Sequence, residues 1–159
     1  PTLLPEVQRQ GISVSLDSNW DPAERWESGI QKLLPYVSVF LPNQAEAKYI
    51  SHADNIETAL SRLRHSAAVI AIKNGAQGAT VFSGEQFFSR PAVPVTVCDA
   101  IGAGDNFDAG FIYGYLRGFP LDRCLEAGIW TGGKSTECVG GITGQINEAT
   151  LLSLLGTTI

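Results

Sequence analysis

Two periodicities alternate along this chain. Short apolar runs of strand length lead into segments whose apolar residues recur every three or four positions. The run G-I-S-V-S-L-D predicts a strand over 11–17 that ends on Asp17. A loop follows, and Asp21, Pro22 and Glu24 stand as N-cap, first helical residue and N3 of a helix running to Leu34. Y-V-S-V-F-L predicts a second strand over 36–41, and P-N-Q-A-E opens a helix through about Ser51. In that helix Asn43 is the cap and Glu46 its N3 partner, an Asn-headed capping box. Ile56, Ala59, Leu60 and Leu63 predict a helix over 55–65, and A-V-I-A-I-K a buried strand over 68–73. The segments A-T-V-F-S and Q-F-F-S-R, joined by Gly84 and Glu85, form a hairpin. The β-branched run Val93, Val95, Thr96 and Val97 reads as a strand entering a glycine-rich turn. Helices are predicted over 107–116, 121–136 and 148–155, the first with Gly110 and Gly114 on one face and the last capped by Asn147. Strands alternating with helices in this order predict an α/β fold, a three-layer α/β/α sandwich with a mainly parallel sheet.

Composition narrows the class. At 159 residues, 44% hydrophobic and 17% charged, the chain reads as one globular domain over 1–159. A net charge of −5 argues against nucleic acid or an anionic membrane as a general partner. The apolar runs are far shorter than a membrane span. Three cysteines without metal-like spacing, Cys98, Cys124 and Cys138, suggest free thiols in a reducing cytoplasm.

The chemistry concentrates in V-C-D-A-I-G-A-G-D-N-F-D-A-G, residues 97–110. Gly102 and Gly104 permit a close backbone approach to a ligand. The amides of Ala103, Gly104 and Asp105 then sit at a helix N-terminus, where the dipole favours an anion. Asp105 is at odds with a plain phosphate nest, since a carboxylate repels phosphate. It fits if it takes a proton from an incoming hydroxyl while the amides hold the developing charge. A helix N-cap accounts for the same aspartate without any chemistry. A dinucleotide loop fits poorly, because Phe107 stands where G-x-G-x-x-G has its third glycine.

Residues 99–107, D-A-I-G-A-G-D-N-F, resemble the D-T-x-G-A-G-D-x-F signature of the ribokinase-like (PfkB) carbohydrate kinases. The resemblance implies a ribokinase-like fold, Asp105 as catalytic base, and Gly102, Ala103 and Gly104 as the anion hole. It extends over essentially the whole chain, but over the nucleotide-side half of the family fold alone. Members are about twice this long, which implies that the N-terminal half and its lid are absent. The segment D-x-N-W-D-P from Asp17 resembles a strand and loop of the family's sugar branch. Asn43 and Glu46 match its N-x-x-E, implying that Glu46, with Asn43, organises Mg²⁺ near the nucleotide phosphates. Lys73, Asn74, Gly75 and Gly78 resemble its T-x-G-x-x-G nucleotide loop, with Lys73 in place of the usual threonine. There Lys73 either contacts phosphate as a point charge or carries its ammonium to water. Ala127, Gly128, Gly132 and Gly133 match a small-residue run beside the adenine. Ile129 stands where asparagine is common, which leaves an apolar contact at best. Asp99, the backbone of Ile101 and the loop 137–141 resemble the site of a monovalent cation, K⁺.

The implied function is transfer of the ATP γ-phosphoryl group to a hydroxyl of a sugar or sugar derivative, with ATP and Mg²⁺ as cofactors and K⁺ as a candidate third. A small-molecule sugar and ATP are then the partners, and a homodimer is compatible with this reading. Two alternatives stand beside it: a nucleotide-binding or inactive fragment without turnover, and a pyridoxal-type vitamin kinase of the same superfamily. The identity of the acceptor cannot be read from these residues.

Overall fold

The computed structural model describes residues 3–18 and 29–156. Its strands are β1 (Ser15–Leu16), β2 (Val39–Phe40), β3 (Val69–Lys73), β4 (Ala79–Ser83) and β5 (Gln86–Arg90). Its helices are α1 (Leu3–Arg9), α2 (Gln44–Ile50), α3 (Ile56–Leu63), α4 (Ala103–Leu116), α5 (Leu121–Ser135) and α6 (Glu148–Leu154). The strands form one sheet in the order β1-β2-β3-β4-β5. β1, β2 and β3 run parallel, with Ser15 opposite Val39 and Val39 opposite Val69. The short connections from β3 to β4 and from β4 to β5 make these neighbours antiparallel, since a parallel return needs a long crossover.

The chain divides into two compact units, residues 1–73 with 81–87, and residues 74–80 with 88–159. In the first, Leu34, Phe40, Ala47, Ile50, Ile70 and Ile72 are wholly or almost wholly buried and pack together with Leu63 and Phe82. Each large side chain among them stabilises the unit by about 1.5–3 kcal/mol relative to exposure. The first two parallel strands, β1 and β2, are shorter than the hydrophobic pattern suggests. Gly11 turns the chain at positive φ after α1, and Leu34–Tyr36 is a 3₁₀ turn containing Pro35. The Ser38 hydroxyl accepts the Val14 amide at 3.1 Å where a ladder partner would stand. The helix predicted from Asp21 to Leu34 falls largely on residues 19–28, outside the described residues. Its last turns are not α-helical: Gly29 lies at φ 73°, and Ile30–Lys32 forms another 3₁₀ turn. α1 was not anticipated by the pattern.

In the second unit α4 and α5 pack backbone to backbone. A Cβ on Gly110 would lie 2.2 Å from the Thr131 hydroxyl and 2.7 Å from the Ala127 carbonyl oxygen. One on Gly128 would meet the Phe107 ring at 2.9 Å, and one on Gly132 the Ala103 carbonyl oxygen at 2.9 Å. Tyr113 and Arg117 of α4 both donate to Glu148 at the start of α6, the second as an ion pair of 2.6 Å. Ala127, Leu151 and Leu155 pack here with Tyr113, Phe119, Trp130 and Ile146.

Two expectations are corrected in this unit. The run Val93–Val97 forms no strand. Pro91 and Pro94 remove two ladder donors, and Val97 is 62% exposed. The segment is held instead where the Cys98 and Asp99 amides both donate to the Thr136 carbonyl, at 2.7 and 3.1 Å. And α4 begins at Ala103 rather than Phe107. Its N-cap is Gly102 in the left-handed region (φ 74°), so Asp105 is the N3 residue and not the cap. All three cysteines are free, and burial pushes the Cys124 thiol up to about 11.

Gly110→Ala tests the helix contact. It should destabilise the protein by roughly 2–3 kcal/mol in denaturant titration, because Thr131 and the Ala127 backbone cannot both retreat. A loss below about 0.5 kcal/mol, the range of ordinary surface changes, would show that the interface yields.

Candidate active site

The first unit gathers polar side chains where β1, β2 and β3 end. This is the carboxyl edge, at which open α/β sheets bind ligands. Asp17 and Ser18 follow β1, Asn43 and Glu46 begin α2, and Lys73 closes β3. The expected capping box is present. Asn43 Oδ1 accepts the Glu46 amide at 2.9 Å, and Glu46 Oε2 accepts the Asn43 amide at 2.9 Å. The Ser18 hydroxyl donates to the same Oε2 at 3.1 Å. Glu46 Oε1 has no hydrogen-bond partner among the described residues.

Glu46 is 6% exposed. Burial raises its pKa above the ordinary carboxylate value, and the negative charge of Asp17 adds to the rise. The Asn43 amide, the Ser18 hydroxyl and the Lys73 ammonium oppose it without cancelling it. Lys73, which the sequence left between phosphate and water, forms an ion pair of 3.1 Å with Asp17. Its side chain is 13% exposed, so the ammonium does not simply run out to solvent.

The second unit holds the glycine-rich turn. Gly104 and Asp105 are exposed on the first turn of α4, whereas Asn106, Phe107 and Asp108 are buried. The Ala103 amide, expected to face an anion, closes a 3.2 Å turn bond to the Ala100 carbonyl. The amides of Gly104 and Asp105 have no acceptor among the described residues. The Asp105 carboxylate therefore stands exposed beside two open N–H groups at the positive end of a helix. Asp99 accepts the Ile101 amide at 3.0 Å and the Gly140 amide at 2.8 Å. Those bonds, in that order of weight, hold its carboxyl below the usual range.

Of the residues expected to form a nucleotide loop, Gly75 is exposed at φ 57°, and Gly78 is buried at φ 96°. A Cβ on Gly78 would stand 2.0 Å from the Arg90 carbonyl oxygen, so the neighbouring backbone alone requires glycine there. The Asn74 amide donates to the Gly78 carbonyl at 2.9 Å, closing the loop. Its side chain donates to the Thr80 hydroxyl at 3.3 Å, leaving Oδ1 buried without a partner. Ile129 is 7% exposed, and Gly132 packs against Ala103, so the small residues of α5 serve the approach to α4. Sequence reasoning passed over Ser18 and Asn106. Neither lies at a fixed position of the motifs, and Asn106 occupies the variable place of the signature.

Among the described residues, no three His, Cys, Asp or Glu side chains cluster to hold a metal, and no helix is long and apolar enough to cross a membrane. The model of the pfkB family of carbohydrate kinases matches residues 7–149, and the chain belongs to that family. An uncharacterized sugar kinase from Archaeoglobus fulgidus is 33% identical over 132 residues, covering 83% of this chain and 53% of its own. The chain thus spans about half the length of the curated relatives it matches. A probable sugar kinase from Rhizobium etli CFN 42 superposes with a TM-score of 0.84 at 25% identity, over 95% of this chain and 48% of that one. A double mutant of the fructokinase from Vibrio cholerae O395, bound to fructose, ADP and potassium ion, gives 0.83 at 20% identity, over 96% and 53%. The likeness establishes the ribokinase-like α/β/α fold.

Glu46→Gln separates the carboxylate's charge from its capping bond, which an amide oxygen can still accept. The folded protein holds the Glu46 proton more tightly than the unfolded chain, so wild-type stability falls as pH rises from the ordinary value of 4.5 through the raised one. Glu46→Gln should escape that fall and be the more stable protein at neutral pH, the difference vanishing at acidic pH. Melting temperatures between pH 4 and 8 check this. A variant less stable than wild type at pH 7 would show that the charge supports the fold.

Proposed function

We propose that this chain carries the nucleotide-side catalytic residues of a kinase that transfers the γ-phosphoryl group of ATP to a hydroxyl of a sugar or sugar derivative. The observation that carries the reading is the exposed Asp105 carboxylate beside the open amides of Gly104 and Asp105 on the first turn of α4. Family membership supports it. Asp105 orients the acceptor hydroxyl and takes its proton as the oxygen attacks the γ-phosphorus. The bond from that phosphorus to the β,γ-bridging oxygen breaks, and ADP leaves with the electron pair. The open amides meet the charge on the transferring group, the kind of positioning and neutralisation phosphoryl transfer demands.

Mg²⁺, commonly held by one or two carboxylates, would supply positive charge to neutralise the phosphates. Glu46 fits that demand, with Oε2 pinned by Asn43 and Ser18 and Oε1 open among the described residues. Asn43 acts by fixing Glu46. Asp99, held ionised between the Ile101 and Gly140 amides, suits a hard monovalent cation such as K⁺. Asn74 and Gly75 are assigned to the nucleotide, and Gly78 shapes their loop. Lys73 is assigned to the phosphates or to Asp17, its partner here. The free thiols agree with a reducing compartment such as the cytoplasm.

One observation favours a second reading, a nucleotide-binding piece without turnover of its own: the chain covers 53% of its A. fulgidus relative. Calorimetry with ATP and ADP, with and without Mg²⁺, tests what both readings share, and ADP release over a panel of pentoses, hexoses and keto-deoxy sugar acids separates them. Micromolar, Mg²⁺-sensitive binding is expected. Asp105→Asn should leave that affinity within about three-fold and cut any turnover by roughly three orders of magnitude or more, the scale of a lost base with its positioning. Turnover near wild type would remove Asp105 as base. Absence of nucleotide binding by a cooperatively folded chain would remove the reading for this chain.

A further inference from the structure

We infer that Asn106 is a positioning residue that sets the phosphoryl-holding turn, an inference resting on the reading of residues 102–105 given above. Asn106 is 6% exposed and directly follows Asp105 in α4. Its side-chain nitrogen donates to two carbonyl oxygens, Gly102 at 2.8 Å and Gly141 at 2.9 Å. Its backbone amide donates to the Gly102 oxygen as well, at 2.9 Å. Both protons of one carboxamide are therefore committed to two chain segments, the N-cap of α4 and the loop 137–141.

Those segments meet without side chains between them. A Cβ on Gly102 would lie 2.7 Å from the Gly141 Cα. Two carbonyl oxygens within hydrogen-bond reach of one nitrogen repel one another unless a donor stands between them. They also present negative charge beside a turn that must accept an anion. The Asn106 carboxamide answers both problems, since it has two donors on one planar nitrogen. Together with the residue's own backbone amide it holds the Gly102 carbonyl, and with it the whole Gly102–Ala103 peptide plane, because a peptide unit turns as one body. That plane sends the Ala103 amide to Ala100 and leaves the next two amides, Gly104 and Asp105, free to face a ligand. Asp99 makes the parallel connection one residue earlier in the loop, through the Gly140 amide. The loop 137–141 is thereby joined to the turn by one carboxylate and one carboxamide, and only the carboxamide reaches the N-cap itself.

No near-isostere replaces it. Aspartate has no proton to give, alanine leaves the Gly141 carbonyl without this donor and the Gly102 carbonyl with the backbone amide alone, and serine supplies one donor on a shorter arm. The test compares affinity for Mg·ADP alone with affinity for Mg·ADP plus tetrafluoroaluminate, a mimic of the transferring phosphoryl group, in the 159-residue chain. Wild type and Asp105→Asn should both gain affinity from the fluoroaluminate, since the backbone amides remain. Asn106→Ala and Asn106→Asp should bind Mg·ADP within about three-fold of wild type yet lose at least ten-fold of that gain, as when a preorganised donor is removed from an anion site. Asn106→Ser should fall between, and it carries the test if the alanine variant does not fold. Retention of the full gain in these variants would overturn the inference while leaving the turn's role intact. A parallel loss of Mg·ADP affinity, fluoroaluminate gain and melting temperature would reduce Asn106 to support of the fold and overturn it too. If wild type itself gains nothing, the reading of residues 102–105 fails first, and this inference falls with it.

Discussion

The second unit depends on one constraint, the close approach of α4 to α5 at three glycines. Gly110, Gly128 and Gly132 put backbone and ring atoms where any Cβ would collide, and Gly132 does so against the carbonyl of Ala103, the first residue of α4. The helix start is therefore located by contact with its neighbour and not by a capping side chain, since Gly102 has none to offer. That arrangement has a chemical consequence. A serine or aspartate cap would occupy one of the first amides, whereas a glycine cap in the left-handed region leaves those of Gly104 and Asp105 open. The helix thus begins without a capping side chain.

The carboxyl edge of β1–β3 shows the opposite economy. Here α2 has a complete capping box, and the box holds Glu46 in surroundings that disfavour its charge. Desolvation and the facing Asp17 raise its pKa, while one amide, one hydroxyl and one ammonium hold it back. A carboxylate in that condition has much to gain from a cation, and its position is already determined by hydrogen bonds that a cation need not disturb. Lys73 and Asp17 neutralise each other at the rim of the same edge. Burial and the Asp17 charge work against the ionised form of Glu46, while the capping box and Ser18 hold the carboxylate in place.

Much of this was legible along the chain, and the reasons are local. Asn43 with Glu46 and Asn147 before α6 act as caps where their spacing placed them, because a cap involves only residues three apart, whereas Asn55, read within the helix 55–65, proves to be the cap of α3. The hairpin of β4 and β5 was legible from two apolar runs around Gly84 and Glu85. The failures have local causes that lost to a stronger rule. Val93, Val95 and Val97 favour extended backbone, but Pro91 and Pro94 deny them a ladder. Asp105 looked equally suited to capping, but the close approach of α5 to Ala103 lets the helix begin two residues before it.

By itself the sequence determined the caps, the apolar stripes, the hairpin and the residues of the glycine-rich turn, since each depends on side chains a few positions apart. Only the tertiary structure decided which amides of that turn stay open, which carbonyls Asn106 holds, that Ser18 and Asn43 share one oxygen of Glu46, and that Lys73 faces Asp17. These pairings join residues 28, 35 and 56 positions apart. Their partners are chosen by how strands and helices stack, and no spacing rule along the chain records that choice.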